Sequence, residues 1–181
     1  MSGHHHPHTS STTAPSHVQH KESGPKAIGC MVVTCSDTRT PETDTSGQLI
    51  QHLLKQRHHE VHVYEIIKDE PVEVQRLLKE AGENEAIETI IINGGTGISR
   101  RDATFEAVAG LLEKRLDGFG EIFRHLSYKE IGSPAMLSRA VAGLYRGRVI
   151  FSIPGSRGAV QLAMEELILP EMGHIVGEMR K

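Results

Sequence analysis

Three consecutive β-branched residues, Ile90, Ile91 and Ile92, run into Asn93-Gly94-Gly95-Thr96-Gly97 before charge returns at Arg100, Arg101 and Asp102. Such a run reads as a buried strand, which fits a sheet covered by helices on both faces. Gly94, Gly95 and Gly97 take the side chains off the turn that follows, so its backbone is open to close approach. A helix opening near Asp102 would aim its unpaired amides and positive dipole end at that turn, and the segment reads as a phosphate-binding loop. A plain tight turn is the alternative, because GGTG matches neither the P-loop GxxxxGK(S/T) nor the dinucleotide GxGxxG pattern.

The flanking chain repeats the same alternation of short apolar runs and helical periodicity. Ile28 to Thr34 reads as a strand, and Ser46 to Gln56 as a helix with Leu49, Ile50, Leu53 and Leu54 on one stripe. Val61 to Ile67 is a second strand. Pro71 opens a helix carrying Val74, Leu77 and Leu78 until Gly82. After the glycine loop, a helix directs Phe105, Val108, Ala109 and Leu112 toward the core. The stretch Gly118 to Gly132 reads as irregular, and a helix is expected near Ala135 to Leu144. The strand Arg148 to Ile153 then runs into Pro154-Gly155-Ser156 and a helix with Val160, Leu162, Ala163, Leu167 and Ile168, which Pro170 kinks or interrupts. The β-α-β-α-β-α order predicts a mainly parallel sheet with helices on both faces and right-handed connections.

Residues 1 to 26 mix Ser, Thr, Pro and His, with Val18 the one large apolar residue after Met1, and are read as a disordered tail preceding a domain over 27–181. His4, His5, His6 and His8 could hold a metal weakly, although a solvated extension is the preferred reading. Lys21, Lys26 and Glu22 give the tail +1 of a net charge of −3, so the domain is acidic and nucleic acid is a poor partner. No apolar run approaches the roughly 20 residues of a membrane span, and the start carries no signal-peptide core, so a cytoplasmic address is expected. Cys30 and Cys35, an odd spacing apart on one strand, should face opposite sides of the sheet as core residues rather than form a disulfide or metal pair.

Ligands of open parallel sheets collect at the carboxyl ends of the strands. The unusual residues of this chain are expected at those ends: Ser36, Asp37, Thr38 and Arg39; Lys68, Asp69 and Glu70; the glycine loop; and Pro154-Gly155-Ser156. Two bare loops at one edge suit two phosphates, or one phosphate and a flat ring. Asp69 and Asp102 together suit Mg2+, which binds through one or two carboxylates plus substrate phosphates; each alone would also serve as a helix N-cap. Arg39, Arg100, Arg101 and Lys68 are phosphate-clamp candidates or solvated cations. His58, His59 and His62 gather at the opposite end of the second strand, where surface solvation or metal binding would account for them.

These residues form a recognisable set: Ser36-Asp37 with Arg39, Asp44-Thr45-Ser46-Gly47, Asp69-Glu70, Gly94-Gly95-Thr96-Gly97, Arg101-Asp102 with Thr104, Gly118-Phe119-Gly120-Glu121, Leu137-Ser138-Arg139 and Pro154-Gly155-Ser156. In order and approximate spacing the set resembles the MoaB/MogA family of molybdenum cofactor biosynthesis proteins over nearly all of 27–181, and the compact ending resembles its MoaB branch. The resemblance implies a three-layer α/β/α molybdopterin-binding fold that assembles as a trimer or hexamer. It also implies adenylylation of molybdopterin by Mg-ATP, with release of pyrophosphate. Asp69 and Asp102 would be the catalytic, Mg2+-holding aspartates. Ser36, Asp37, Gly94, Gly95, Thr96, Gly97, Thr104 and Ser138 would line the pterin and nucleotide site, with Pro154, Gly155 and Ser156 as its second loop. A non-catalytic molybdopterin-binding or scaffold protein of the same pathway is the alternative, since some members of that branch keep the fold without the activity; a nucleotide pyrophosphatase ranks third.

Overall fold

The computed structural model describes residues 24–100 and 102–181. The expected tail up to residue 23 and the Arg101 clamp therefore lie outside the described residues. Six strands form one sheet in the order β2-β1-β3-β6-β5-β4, with β1 (Gly29–Cys35), β2 (Glu60–Ile67), β3 (Thr89–Gly94), β4 (Lys114–Arg115), β5 (Val141–Tyr145) and β6 (Arg148–Ile153). β1, β2, β3 and β6 run parallel, whereas β5 is antiparallel to β6 and to β4.

The continuous apolar runs lie where both faces are covered. Cys30, Val32, Ile91 and Phe151 face one core with α1 (Thr45–Gln56), α4 (Asp117–Ile131), α5 (Arg157–Ala163) and α6 (Leu169–Met179). Met31, Val33, Cys35, Ile90, Ile92 and Ile150 face the other, beneath α2 (Pro71–Glu83) and α3 (Thr104–Leu111). The two cysteines are thus buried on opposite faces, and burial raises each thiol to about 12. Gly24 and Pro25 lie against Gly173 and Gly177 of α6; a Cβ on Gly24 would fall 2.4 Å from the Gly173 carbonyl oxygen. Among the described residues, no helix is long and apolar enough to cross a membrane.

Two expectations fail in the same region. Gly118 to Gly132 is not irregular, because Asp117–Ile131 is a fifteen-residue helix. Gly118 and Gly120 at its start suggested a loop, and exposure of Ile122 and Ile131 hides its apolar stripe. Gly120 is there for approach, since a Cβ would sit 2.6 Å from the Ala140 carbonyl oxygen. The helix expected near Ala135 to Leu144 is instead a 3-10 turn (Ser133–Leu137) followed by β5. Ala and Leu favour helix locally, but pairing with β6 prevails through a two-residue hairpin turn, Arg146 (φ 47°) and Gly147 (φ 68°). Pro170 does interrupt its helix: a π-helical turn, Met164–Ile168, separates α5 from α6, with Pro170 in the first turn of α6.

Candidate functional site

The carboxyl ends of β1, β2, β3 and β6 gather the candidates along one edge. β3 ends in Gly94 (φ 96°) and Gly95 (φ 62°), left-handed conformations that side chains other than glycine resist. A Cβ on Gly94 would lie 2.3 Å from the Cys35 carbonyl oxygen, and one on Gly95 would lie 2.2 Å from Thr104 Oγ1 and 2.5 Å from Asp69 Oδ1. At Gly97 it would meet Asp102 Oδ2 at 2.4 Å. Asp69 and Asp102 therefore flank one glycine loop, each against a position that lacks a side chain. The second loop touches the first, because a Cβ on Gly155 would stand 3.0 Å from Gly94 Cα. Ser46 at the start of α1 ties down that second loop by donating to the Gly155 carbonyl at 2.9 Å, and Ser156 caps α5.

The aspartates do not cap the helices that follow them. The N-cap position of α2 is Glu70, and that of α3 is Ala103; neither side chain makes a capping bond. Asp69 instead reaches from β2 past β1 to the start of α3, where its Oδ1 accepts from Thr104 Oγ1 (2.8 Å), Thr104 N (3.2 Å) and Ala103 N (3.3 Å). Its carboxylate thus occupies the helix end that the sequence offered to phosphate, so that helix end is not open to an anion and the backbone of the glycine loop is the remaining candidate. Asp102 turns back on the loop: its Oδ2 accepts from Ser99 N at 2.8 Å while its own N–H donates to Ser99 O at 3.1 Å.

Asp69 Oδ2 and Asp102 Oδ1 accept no hydrogen bond among the described residues. Among the described residues one oxygen of each carboxylate is held and the other has no hydrogen-bond partner, a donor set of the kind that suits a cation taking few protein oxygens and completing its shell from substrate. No cluster of three or more metal-ligating side chains exists among the described residues. At the other end of β2, His62 stands 3.6 Å from Glu60, and burial lowers the pKa of His59.

Ser36 Oγ accepts from the amides of Thr38 (3.3 Å) and Arg39 (3.2 Å), shaping the loop after β1 that carries the exposed Asp37. A groove of about 560 Å³ runs beside this loop, lined by Ser36, Arg39, Tyr64 and Lys68. A second, of about 510 Å³, contains Ser99, Arg100 and Asp102. Thr96 and Thr104 are buried, and Ser138 is half-buried at the end of the 3-10 turn.

Two groups of residues escaped the sequence reading. Asp44, 1 % exposed, accepts at Oδ2 from Thr34 Oγ1 (2.5 Å) and Tyr64 OH (2.6 Å), and at Oδ1 from Gly47 N (2.9 Å). Asn93 extends this network by donating to Thr34 Oγ1 at 2.8 Å. Partial burial and the bond to Asp44 raise the Tyr64 hydroxyl above its ordinary range. The second is Arg139, whose guanidinium reaches the carbonyls of Thr96, Gly97 and Asp102. Both residues stand in the motifs of the resemblance, which was the available signal, but nothing in local periodicity reveals their partners.

A covered sheet with two touching bare loops and two aspartates at the carboxyl ends of its strands defines an α/β domain of the class whose ligands collect at that edge. The family described as a probable molybdopterin binding domain matches residues 31–174. A Bacillus cereus protein named molybdenum cofactor biosynthesis protein B is 52% identical over 164 residues, covering 90% of this chain and 97% of its own. A crystal structure of a molybdenum cofactor biosynthesis protein B superposes with a TM-score of 0.84 at 54% identity, over 86% of this chain and 98% of the other. The tungsten cofactor synthesizing protein MoaB of Pyrococcus furiosus gives 0.78 at 39%, over 87% and 99%. The chain belongs to the MoaB family of molybdenum cofactor biosynthesis proteins.

Proposed function

We propose that this protein binds molybdopterin and transfers AMP to it from Mg-ATP. The observation that carries this reading is the meeting of the two bare loops at Gly94 and Gly155, beside a glycine loop flanked by two carboxylates that each have one oxygen without a hydrogen-bond partner among the described residues. A terminal phosphate oxygen of the pterin forms a bond to the α-phosphorus of ATP, the bond from that phosphorus to the β-bridging oxygen breaks, and pyrophosphate leaves. Mg2+ held by Asp69 and Asp102 supplies charge neutralisation on the phosphates. The glycine loop and Pro154-Gly155-Ser156 bring backbone close to the anions, with Ser36, Asp37, Thr96, Thr104 and Ser138 shaping the walls. Lys68 and Arg100, exposed beside the grooves, draw the anionic substrates in.

The second reading, a non-catalytic molybdopterin-binding scaffold, is favoured by one observation: Asp69 already has a structural task at the start of α3. Incubation with molybdopterin and Mg-ATP separates the two. Adenylylated pterin and pyrophosphate are expected; pterin binding without either product, and without Mg2+-dependent ATP affinity in calorimetry, would leave the scaffold. We further propose that the protein works in the cytoplasm as a homo-oligomer, trimer or hexamer, alongside other proteins of the pathway. Exposed Ile122, Tyr128, Ile131, Met136 and Leu137, on α4 and the turn after it, support the assembly.

A further inference from the structure

A loop containing Gly94, Gly95 and Gly97 has little means of holding its own shape. It has few side chains to pack, its one large apolar side chain, Ile98, is 71% exposed, and glycine has more backbone freedom to lose than any other residue. Among the described residues, its internal hydrogen bonds are those between Ser99 and Asp102. Arg139, 42 residues beyond Gly97 in the chain, supplies what the loop lacks. Its Nε donates to the Thr96 carbonyl at 2.9 Å, and its Nη2 donates to the carbonyls of Gly97 and, at 3.4 Å, of Asp102. The remaining arm, Nη1, pairs with Glu106 of α3, and the guanidinium carbon Cζ lies over the Phe105 ring, 4.8 Å from its centre.

One planar group therefore ties both ends of the loop to the helix behind it. We infer that Arg139 is a positioning residue: it holds the glycine loop in the shape that presents Asp102 and the loop backbone to the ligand. It does this through backbone carbonyls, without itself touching the reacting atoms. The fork geometry is what the task needs, because three carbonyls and a carboxylate approach from different directions in one plane; the single ammonium of a lysine cannot meet them together. The link to catalysis rests on the adenylyltransferase reading, whereas the link to loop shape does not.

The test uses the full-length chain with Arg139→Ala and Arg139→Lys, the lysine variant covering the case in which alanine prevents folding. Exchange of the Ser99 and Asp102 amide protons reports the loop directly, because both are hydrogen-bonded within it. Loss of a charge-assisted anchor should speed their exchange about tenfold or more in the alanine variant and less in the lysine variant, with β1, β3 and β6 unchanged. Millimolar guanidinium should restore protection to Arg139→Ala and leave the wild type unaffected. In turnover, kcat should fall about a hundredfold with the pterin KM within a few-fold, and guanidinium should recover it. Exchange at Ser99 and Asp102 within twofold of wild type in both variants would overturn the proposal. If the wild type adenylylates nothing while the amide exchange and its rescue behave as stated, the catalytic reading fails and the loop role of Arg139 stands.

Discussion

Asp69 is asked to do two things, and substitutions can separate them. Its Oδ1 anchors the first amides of α3 and the Thr104 hydroxyl, while its Oδ2 and its charge are what the proposed Mg-ATP site uses. Asp69→Ala removes the acceptor altogether. Thr104 is fully buried, so its hydroxyl and amide lose a partner in a place water reaches poorly, whereas half-buried Ala103 can be resolvated. The 2.8 Å bond is the strong one and the contacts at 3.2 and 3.3 Å are weaker. Loss of a side-chain cap costs about 1 kcal/mol and an unsatisfied buried group about 1–3, which together put the alanine variant about 2–4 kcal/mol below wild type. Asp69→Asn keeps an oxygen where Oδ1 stands and loses only the charge opposite the helix dipole, a cost of about 1 kcal/mol or less. In urea, with a slope of about 2 kcal/mol per molar, the alanine midpoint should drop by about 1–2 M and the asparagine midpoint by less than about 0.5 M, at matched protomer concentration. Both should lose adenylyl transfer. Equal midpoints for the two variants would refute the division of labour between the two oxygens.

Asp102→Asn should leave the unfolding free energy from urea titration within about 0.5 kcal/mol of wild type, because an amide oxygen can still accept from Ser99 N, yet lower kcat about a hundredfold with pterin affinity nearly kept. Tyr64→Phe removes one of the two hydroxyls that solvate buried Asp44 and should cost about 1–2 kcal/mol by chemical denaturation. Cys30 and Cys35 are held near 12 against an ordinary 9.0, so the folded state keeps both thiols neutral where the unfolded chain ionises them. Stability from this source is complete below pH 9 and lost as pH rises from 9 toward 12, with Tyr64 adding in the same direction; urea titrations across that range, and absence of thiol alkylation in the folded protein at pH 8, check it. Leu137→Glu, at an exposed apolar site after α4, should lower the assembly observed by analytical ultracentrifugation; an unchanged sedimentation coefficient would remove this patch from the interface.

Much of the fold was legible because its strands announce themselves locally. Ile90 to Ile92 and the run from Met31 to Val33 are apolar on both faces, and such strands belong at the centre of a covered sheet, where they are found. The second half was harder for a local reason. β5 carries Ala142 and Gly143, weak strand formers, and becomes a strand by pairing with β6. A Cβ on Gly143 would lie 2.2 Å from the Lys114 carbonyl oxygen, so the residue that weakens the local signal is the one that lets β4 dock. α4 was missed because its exposed Ile122 and Ile131 break the amphipathic stripe.

The sequence by itself determined the layered α/β class, the placement of the candidate residues at strand ends, and the two turns that dispense with side chains, since each depends on periodicity or on glycine within a few residues. Tertiary structure decided what those residues face. Asp69 and Asp102, both readable as caps for their own helices, turned out otherwise: one crosses behind β1 to hold α3, and the other folds back on its loop. Arg139 meets the glycine loop because the hairpin of β5 and β6 returns the chain to β3. Hydrogen-bond partners 34 to 43 residues apart are set by sheet order and helix packing, and no local pattern of residues records them.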